Sequence, residues 1–184
     1  MTLLEELVAE AHACVRCPLA KGRTNVVFGV GDTNAELMFV GEAPGEQEDL
    51  QGEPFVGRSG KLLDRLVYEE MGLTRDQFFI ANTLMCRPPG NRDPLPDEIA
   101  TCRPFLDRKL DLIDPKVVVT LGNFSTKLML DTKAGITKMR GKVYPFRRGW
   151  LVPTYHPAAV LRGGGAAEAE MRADLIRAKR AMSE

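Results

Sequence analysis

Leu3, Leu4, Leu7, Val8 and Ala11 recur at helical spacing near the start of the chain, and Thr2 stands where an N-cap belongs. A helix is therefore expected from Thr2 to about Ala13. The period then shortens. Glu36 to Val40 reads as an apolar strand that stops at Gly41, Phe78 to Leu84 as a second, and Lys116 to Leu121 as a third, fully buried one. Between them lie helical stripes. Ser59 is placed to cap a helix with Leu62, Leu63, Leu66 and Val67 on its apolar face, ending near Gly72. A longer helix is expected from about Pro96 to Ile113, and another follows Gly122 with Phe124, Leu128 and Met129. Gly141 to Tyr144 and Trp150 to Pro153 add strand, and Glu168 to Met182 closes the chain as a helix.

Strands that alternate with helices imply βαβ units, so the fold class is α/β, with a mostly parallel sheet covered on both faces. No repeat or linker divides the 184 residues, and residues 1–184 are expected to form a single domain. Ligands of such sheets bind beyond the carboxyl ends of the strands. Here those ends carry Gly41-Glu42, Asn82, Leu121-Gly122 and Tyr155-His156.

Composition changes this picture little. With 44% hydrophobic and 27% charged residues, the chain has the balance of a soluble globular protein, and its net charge is zero. No apolar run is long enough for a bilayer span, and the N-terminus lacks the pattern of a signal peptide, so a cytoplasmic location is expected. Charge distribution says more. Lys138 to Arg148 holds five Lys or Arg among eleven positions and no acid, and Arg87 and Arg92 bracket a Pro/Gly-rich loop. Such runs are usually solvated surface, yet on a neutral protein they are also able to neutralise phosphates.

Two groups of residues carry chemistry. Cys14-x2-Cys17, Cys86 and Cys102 supply four thiols, a complete set for zinc or for an iron–sulfur cluster, and the spacing does not separate the two. Gly41-Glu-Ala-Pro-Gly45 forms a tight turn directly after a strand, with Glu42, Glu46, Glu48 and Asp49 around it. Phe55 sits among turn residues, where its face is free to stack on a planar ring, and Asn82 offers the paired donor and acceptor that the edge of a pyrimidine needs. Pro157 aims His156 out of the sheet, and Leu161-Arg162, beside Gly163 to Gly165, is expected on a flexible loop as an apolar wedge next to a cation.

From Cys14 to Arg162 the chain resembles the family 4 uracil-DNA glycosylases, the iron–sulfur members of the uracil-DNA glycosylase superfamily. Gly41-Glu-Ala-Pro-Gly45 with Glu48-Asp49, Phe55-Val-Gly57, Asn82 to Arg87 and His156-Pro157 carry the resemblance. It implies a three-layer α/β/α sandwich and a [4Fe-4S] cluster on Cys14, Cys17, Cys86 and Cys102. The implied activity is base excision repair: extrusion of deoxyuridine from single- or double-stranded DNA and hydrolysis of its N-glycosidic bond, without strand cleavage, by a monomer acting at the nucleoid. Glu42, Ala43 and Pro44 would line the pocket, Phe55 would stack on uracil, Asn82 would bond its polar edge and His156 its O2 side. Arg87, Leu161 and Arg162 would meet DNA.

The family 1 pattern of the same superfamily has a water-positioning Asp where this chain has Ala43, and a thymine-excluding Tyr where it has Gly45. Those roles would pass to Glu42 or Glu48 for water, and to Glu48 or its loop for thymine. A related branch that becomes covalently linked to DNA has Gln in place of Ala43 and a His-containing loop; residues 87–101 here hold no His. Two other readings remain: an iron–sulfur or zinc module that binds nucleic acid without cleaving it, and an electron-transfer protein.

Overall fold

The computed structural model describes residues 1–184. Six strands form one sheet in the order β1-β3-β2-β4-β6-β5. They are β1 (Val30–Gly31), β2 (Leu37–Gly41), β3 (Phe79–Asn82), β4 (Val117–Leu121), β5 (Tyr144–Phe146) and β6 (Gly149–Thr154). The central β3, β2, β4 and β6 run parallel, and the edge strands β1 and β5 pair antiparallel. The expected mostly parallel sheet is present.

Alternation along the strands sorts side chains into two cores. Leu37 and Phe39 of β2, Ile80 of β3, Val117, Val119 and Leu121 of β4 and Val152 of β6 point to one face. There they pack on α4 (Arg58–Met71), α8 (Pro157–Gly163) and α9 (Gly165–Met182). Met38, Val40, Phe79, Ala81, Val118 and Leu151 face the other way, onto α1 (Leu3–His12) and α5 (Pro96–Ile113). The result is the three-layer α/β/α sandwich. The remaining helices are short: α2 (Leu19–Gly22), α3 (Glu46–Gln51), α6 (Asn123–Leu130) and α7 (Ile136–Met139).

Helix α1 begins with a capping box, in which Thr2 Oγ1 accepts from the Glu5 N–H and Glu5 accepts from the Thr2 N–H. Helix α5 occupies the residues expected of it, with Pro96 at its first position.

Three expectations are corrected, and the basic run is found as charged surface. Ser59 lies inside α4, whose N-cap is Gly57. The strand expected at Gly141 to Tyr144 is Tyr144–Phe146. Leu161 and Arg162 belong to α8, a helix that Pro157 starts and that ends only at Gly163. The basic run is largely spent on ion pairs: Arg140 binds Glu170 and Asp174, Arg147 binds Asp111, and Arg148 binds Asp114. Only Lys138 and Lys142 of that run are free of such partners.

Candidate active site

The chain leaves β2 for β3 on one side and returns to β4 on the other, so a crevice opens past the carboxyl ends of β2 and β4. A cleft of about 620 Å³ lies there, walled by Glu42 to Gly45 after β2, Gly122 and Asn123 after β4, and Tyr155 and His156 after β6. Glu48, Ser59, Asn91, Arg92, Asp93 and Arg162 complete its polar rim.

Asn82 and Phe55 are buried behind this cleft and are not among the residues that line it. Gly41 and Asn82 are direct partners across β2 and β3. A Cβ at position 41 would lie 2.4 Å from Asn82 Oδ1 and 2.6 Å from the Phe55 ring, so only glycine lets the amide and the ring converge. The Phe55 and His156 rings stand 5.6 Å apart, tilted by 31°. Asn82 Oδ1 is the one buried side-chain oxygen or nitrogen in the protein without a hydrogen-bond partner. Native proteins rarely leave such an atom unpaired, and this one is a vacant acceptor beside an aromatic face.

Phe55 holds a left-handed backbone conformation, φ 54°, which is costly for a residue with a bulky side chain. A clamp keeps it there. Glu48 Oε2 accepts from the N–H groups of Val56 and Gly57 at 3.1 and 3.2 Å, while its Oε1 accepts from Gly45 at 3.0 Å. On the far side Arg75 donates to the carbonyls of Pro54 and Phe55 and pairs with Asp64. The next residue, Asp49, is 3% exposed and accepts from the N–H groups of Thr24 and Asn25. The segment read from sequence as an acidic loop is thus helix α3 beyond Gly45, and two of its carboxylates are saturated by backbone donors.

His156 caps α8, its Nδ1 accepting from the Ala158 N–H at 3.1 Å. A ring nitrogen that accepts carries no proton, so the neutral ring bears its hydrogen on Nε2. Burial pushes the His156 pKa down to about 4, and the nearby Arg162 guanidinium adds to the shift. Strand β6 is fixed just before this point: Thr154 donates to the fully buried Asp174 at 2.8 Å, and Arg140 forks onto the same carboxylate.

Glu42 is half-buried and its carboxylate has no hydrogen-bonded or ionic partner. Burial raises its pKa, and Asp93 raises it further. Asn91, which sequence reasoning passed over, shares the rim of the cleft; Arg87 Nε donates to its Oδ1 at 2.6 Å. Arg87 therefore orients a cleft residue and does not itself line the cleft. Arg92 forks onto Glu98 at 2.8 Å for both bonds, which leaves Arg162 as the unpaired cation of the rim. Leu161 is 43% exposed on the same helix.

Cys14, Cys17, Cys86 and Cys102 are free and half-buried, and all four line one small apolar cavity on the α1–α5 side. They are not drawn into a group that would hold a single metal ion. Burial pushes the Cys102 thiol up to about 11 and raises that of Cys86, so their thiolates need a compensating cation.

A doubly wound sheet with a polar cleft at its switch point, backed by an aromatic face and a vacant amide acceptor, has the shape and donor–acceptor set that a planar, hydrogen-bonding ring would need. Comparison with known proteins makes the class specific. The profile of the uracil DNA glycosylase superfamily matches residues 28–178. The chain is 51% identical over 169 residues to the type-4 uracil-DNA glycosylase of Sulfurisphaera tokodaii, an alignment covering 88% of this chain and 77% of that protein. It is 45% identical over 170 residues to the Archaeoglobus fulgidus type-4 enzyme (88% and 84%) and 44% identical over 162 residues to that of Thermotoga maritima (86% and 84%). The chain belongs to the uracil-DNA glycosylase superfamily and, within it, to the type-4 family.

Proposed function

We propose that this protein removes uracil from DNA by hydrolysing the N-glycosidic bond of deoxyuridine, releasing uracil and leaving an abasic site. The observation that carries the reading is the vacant Asn82 Oδ1, held beside Phe55 and a neutral His156. The deoxyuridine nucleotide is turned out of the stack, because the bond to be broken is inaccessible within it. Uracil stacks on Phe55, its N3–H donates to Asn82 Oδ1, and the Asn82 NH2 donates to O4. As the glycosidic bond lengthens, negative charge gathers on uracil and is met at O2 by His156 Nε2–H, a preorganised neutral donor.

The sugar becomes cationic and takes up water. Of the two carboxylates expected to place that water, Glu42 is assigned here, since it is unpartnered in the cleft, and Asn91 shares the rim as a second group able to hold it. Glu48 is assigned to the clamp on Phe55 and to exclusion of thymine. A Cβ on Gly45 would stand 2.8 Å from Glu48 Oε1, so the carboxylate takes the space of a side chain there. No lysine lines the cleft, which supports hydrolysis without an amine adduct and hence without strand cleavage.

The four cysteines are assigned to a [4Fe-4S] cluster. A single zinc ion bonded at about 2.3 Å would need the sulfurs within about 4 Å of one another, whereas a four-iron cluster takes a wider set around a shared cavity. When bound, the cluster supplies a rigid cross-link between the end of α1, the segment after β3 and α5. Uracil-containing DNA, single- or double-stranded, is the proposed partner of a cytoplasmic, nucleoid-acting monomer. No helix is long and apolar enough to cross a membrane.

The test joins two readings on one preparation. A visible iron–sulfur chromophore and an alkali-labile break at a single uracil in an oligonucleotide are expected together. A coloured protein that leaves the oligonucleotide intact would favour a binding or redox role, and a colourless active one would return the thiols to zinc.

Leu161, projecting from α8 five residues beyond His156, is proposed as the wedge that fills the gap left by the extruded nucleotide. Leu161→Ala is expected to slow cleavage of duplex substrate by roughly tenfold and of single strands by less than about twofold, since only a duplex needs its stack propped open. Equal losses on both substrates would reject the wedge.

A further inference from the structure

Between the cysteine cavity and the base pocket runs a strap of three residues, Arg23, Thr24 and Asn25, held at both ends. At one end Arg23 lines the cavity with all four cysteines; its Nη1 donates to the Cys14 carbonyl at 2.6 Å and lies 3.5 Å from Cys86 Sγ. At the other end the buried Asp49 takes the N–H of Thr24 at 2.9 Å and that of Asn25 at 3.2 Å. The Asn25 amide donates back to the Asp49 carbonyl at 2.8 Å. Asp49 adjoins Glu48, whose oxygens hold Gly45, Val56 and Gly57 around Phe55.

Two other cations lie near the cavity; Lys109 acts on Cys102 by charge, and neither donates a hydrogen bond to a sulfur. Arg16 lines the cavity but lies over the Phe105 ring at 4.9 Å, and the buried Lys109 is committed to the Phe28 carbonyl at 2.6 Å. Arg23 is the one side chain that donates a hydrogen bond to a cysteine sulfur.

We propose that Arg23 is a positioning residue that couples the cysteine site to the base pocket: its guanidinium bonds the Cys86 thiolate of the bound cluster, and through Thr24, Asn25 and Asp49 it sets the loop that presents Phe55. The inference rests on the cluster reading above. Hydrogen bonds to ligand sulfur and nearby positive charge stabilise the more reduced, more negative cluster, so loss of Arg23 moves the reduction potential in the negative direction. Loss of the strap's anchor also loosens the clamp on Phe55, which acts on substrate binding before it acts on the chemical step.

The experiment compares wild type, Arg23→Met and Arg23→Lys, each isolated with its chromophore. It follows bleaching of the visible absorbance by a chelator, the midpoint potential, and KM and kcat on a single-uracil oligonucleotide. Arg23→Met is expected to bleach about tenfold faster or more, at a more negative potential, with KM raised more than kcat is lowered. Arg23→Lys keeps the charge but not the planar fork, and is expected between the two. It carries the test alone where the methionine variant does not fold. Wild-type bleaching and potential in the variants would overturn the bond to sulfur, and faster bleaching with an unchanged KM would overturn the coupling. A wild-type protein without an iron chromophore would remove the cluster reading itself, and the proposal with it.

Discussion

Replacing His156 by alanine is expected to lower kcat for uracil release by about 100- to 1000-fold, with a much smaller change in KM. That is the range for removing one preorganised donor to a developing anion. The donor is specified by the structure around it. The Ala158 N–H occupies Nδ1, so the proton stays on Nε2, and burial with Arg162 nearby keeps the ring neutral by holding its pKa near 4. The pH profile separates this role from general-acid catalysis. A protonated His156 acting as an acid would lose activity as pH rises through its pKa, whereas a neutral donor is already in its active form from about pH 5 upward.

The acid side of the profile is expected to follow Glu42, proposed above to place the water, whose pKa lies above the ordinary carboxylate value because of burial and Asp93. As pH falls through that raised pKa the carboxylate takes a proton, the hold on water and on the cationic sugar weakens, and the rate drops. His156→Ala should keep this limb at reduced height. A wild-type inflection near pH 6.5 that disappears in His156→Ala would refute the neutral-donor assignment.

The sheet and its ends were legible because strand signals, helical stripes and turn glycines agreed locally. Gly41, Asn82 and His156 were each placed at a strand end from sequence, and parallel pairing in the order β3-β2-β4-β6 brings those ends together. Features set by distant partners were not legible. Arg140 reads as part of a basic patch until Asp174, 34 residues away, is seen beneath it. Arg75 is an ordinary surface charge in the sequence, although it holds two carbonyls of the strained Phe55 turn.

Helix α3 escaped because its six residues, Glu-Gln-Glu-Asp-Leu-Gln, show no apolar period; Glu48 and Asp49 face inward to backbone N–H groups, which hydrophobic patterning cannot report. In the sequence helix α8 reads as loop because three consecutive glycines follow Arg162, yet His156 as cap and Pro157 at the first position start the helix well before them. The cysteine spacing points to one metal or cluster site and leaves its occupant open; the structure adds that all four thiols line one small cavity.

Asn82→Ala is expected to reduce uracil cleavage by about 10⁴-fold, the scale on which a pocket built to hydrogen-bond one partner fails when that pairing is lost. Stability should move the other way or not at all. Buried Asn82 Oδ1 has no partner in the free protein, so the native state already bears the cost of its desolvation, and truncation removes that cost together with the side chain. The small cavity left behind offsets part of the gain. A purely structural asparagine at the end of β3 would show the opposite pattern, with lower stability and largely preserved turnover. Thermal unfolding and single-turnover cleavage of the same variant distinguish the two. A variant that melts as wild type does, yet releases almost no uracil, would place the acceptor in the base pocket. One that unfolds earlier and still cleaves would return Asn82 to the scaffold.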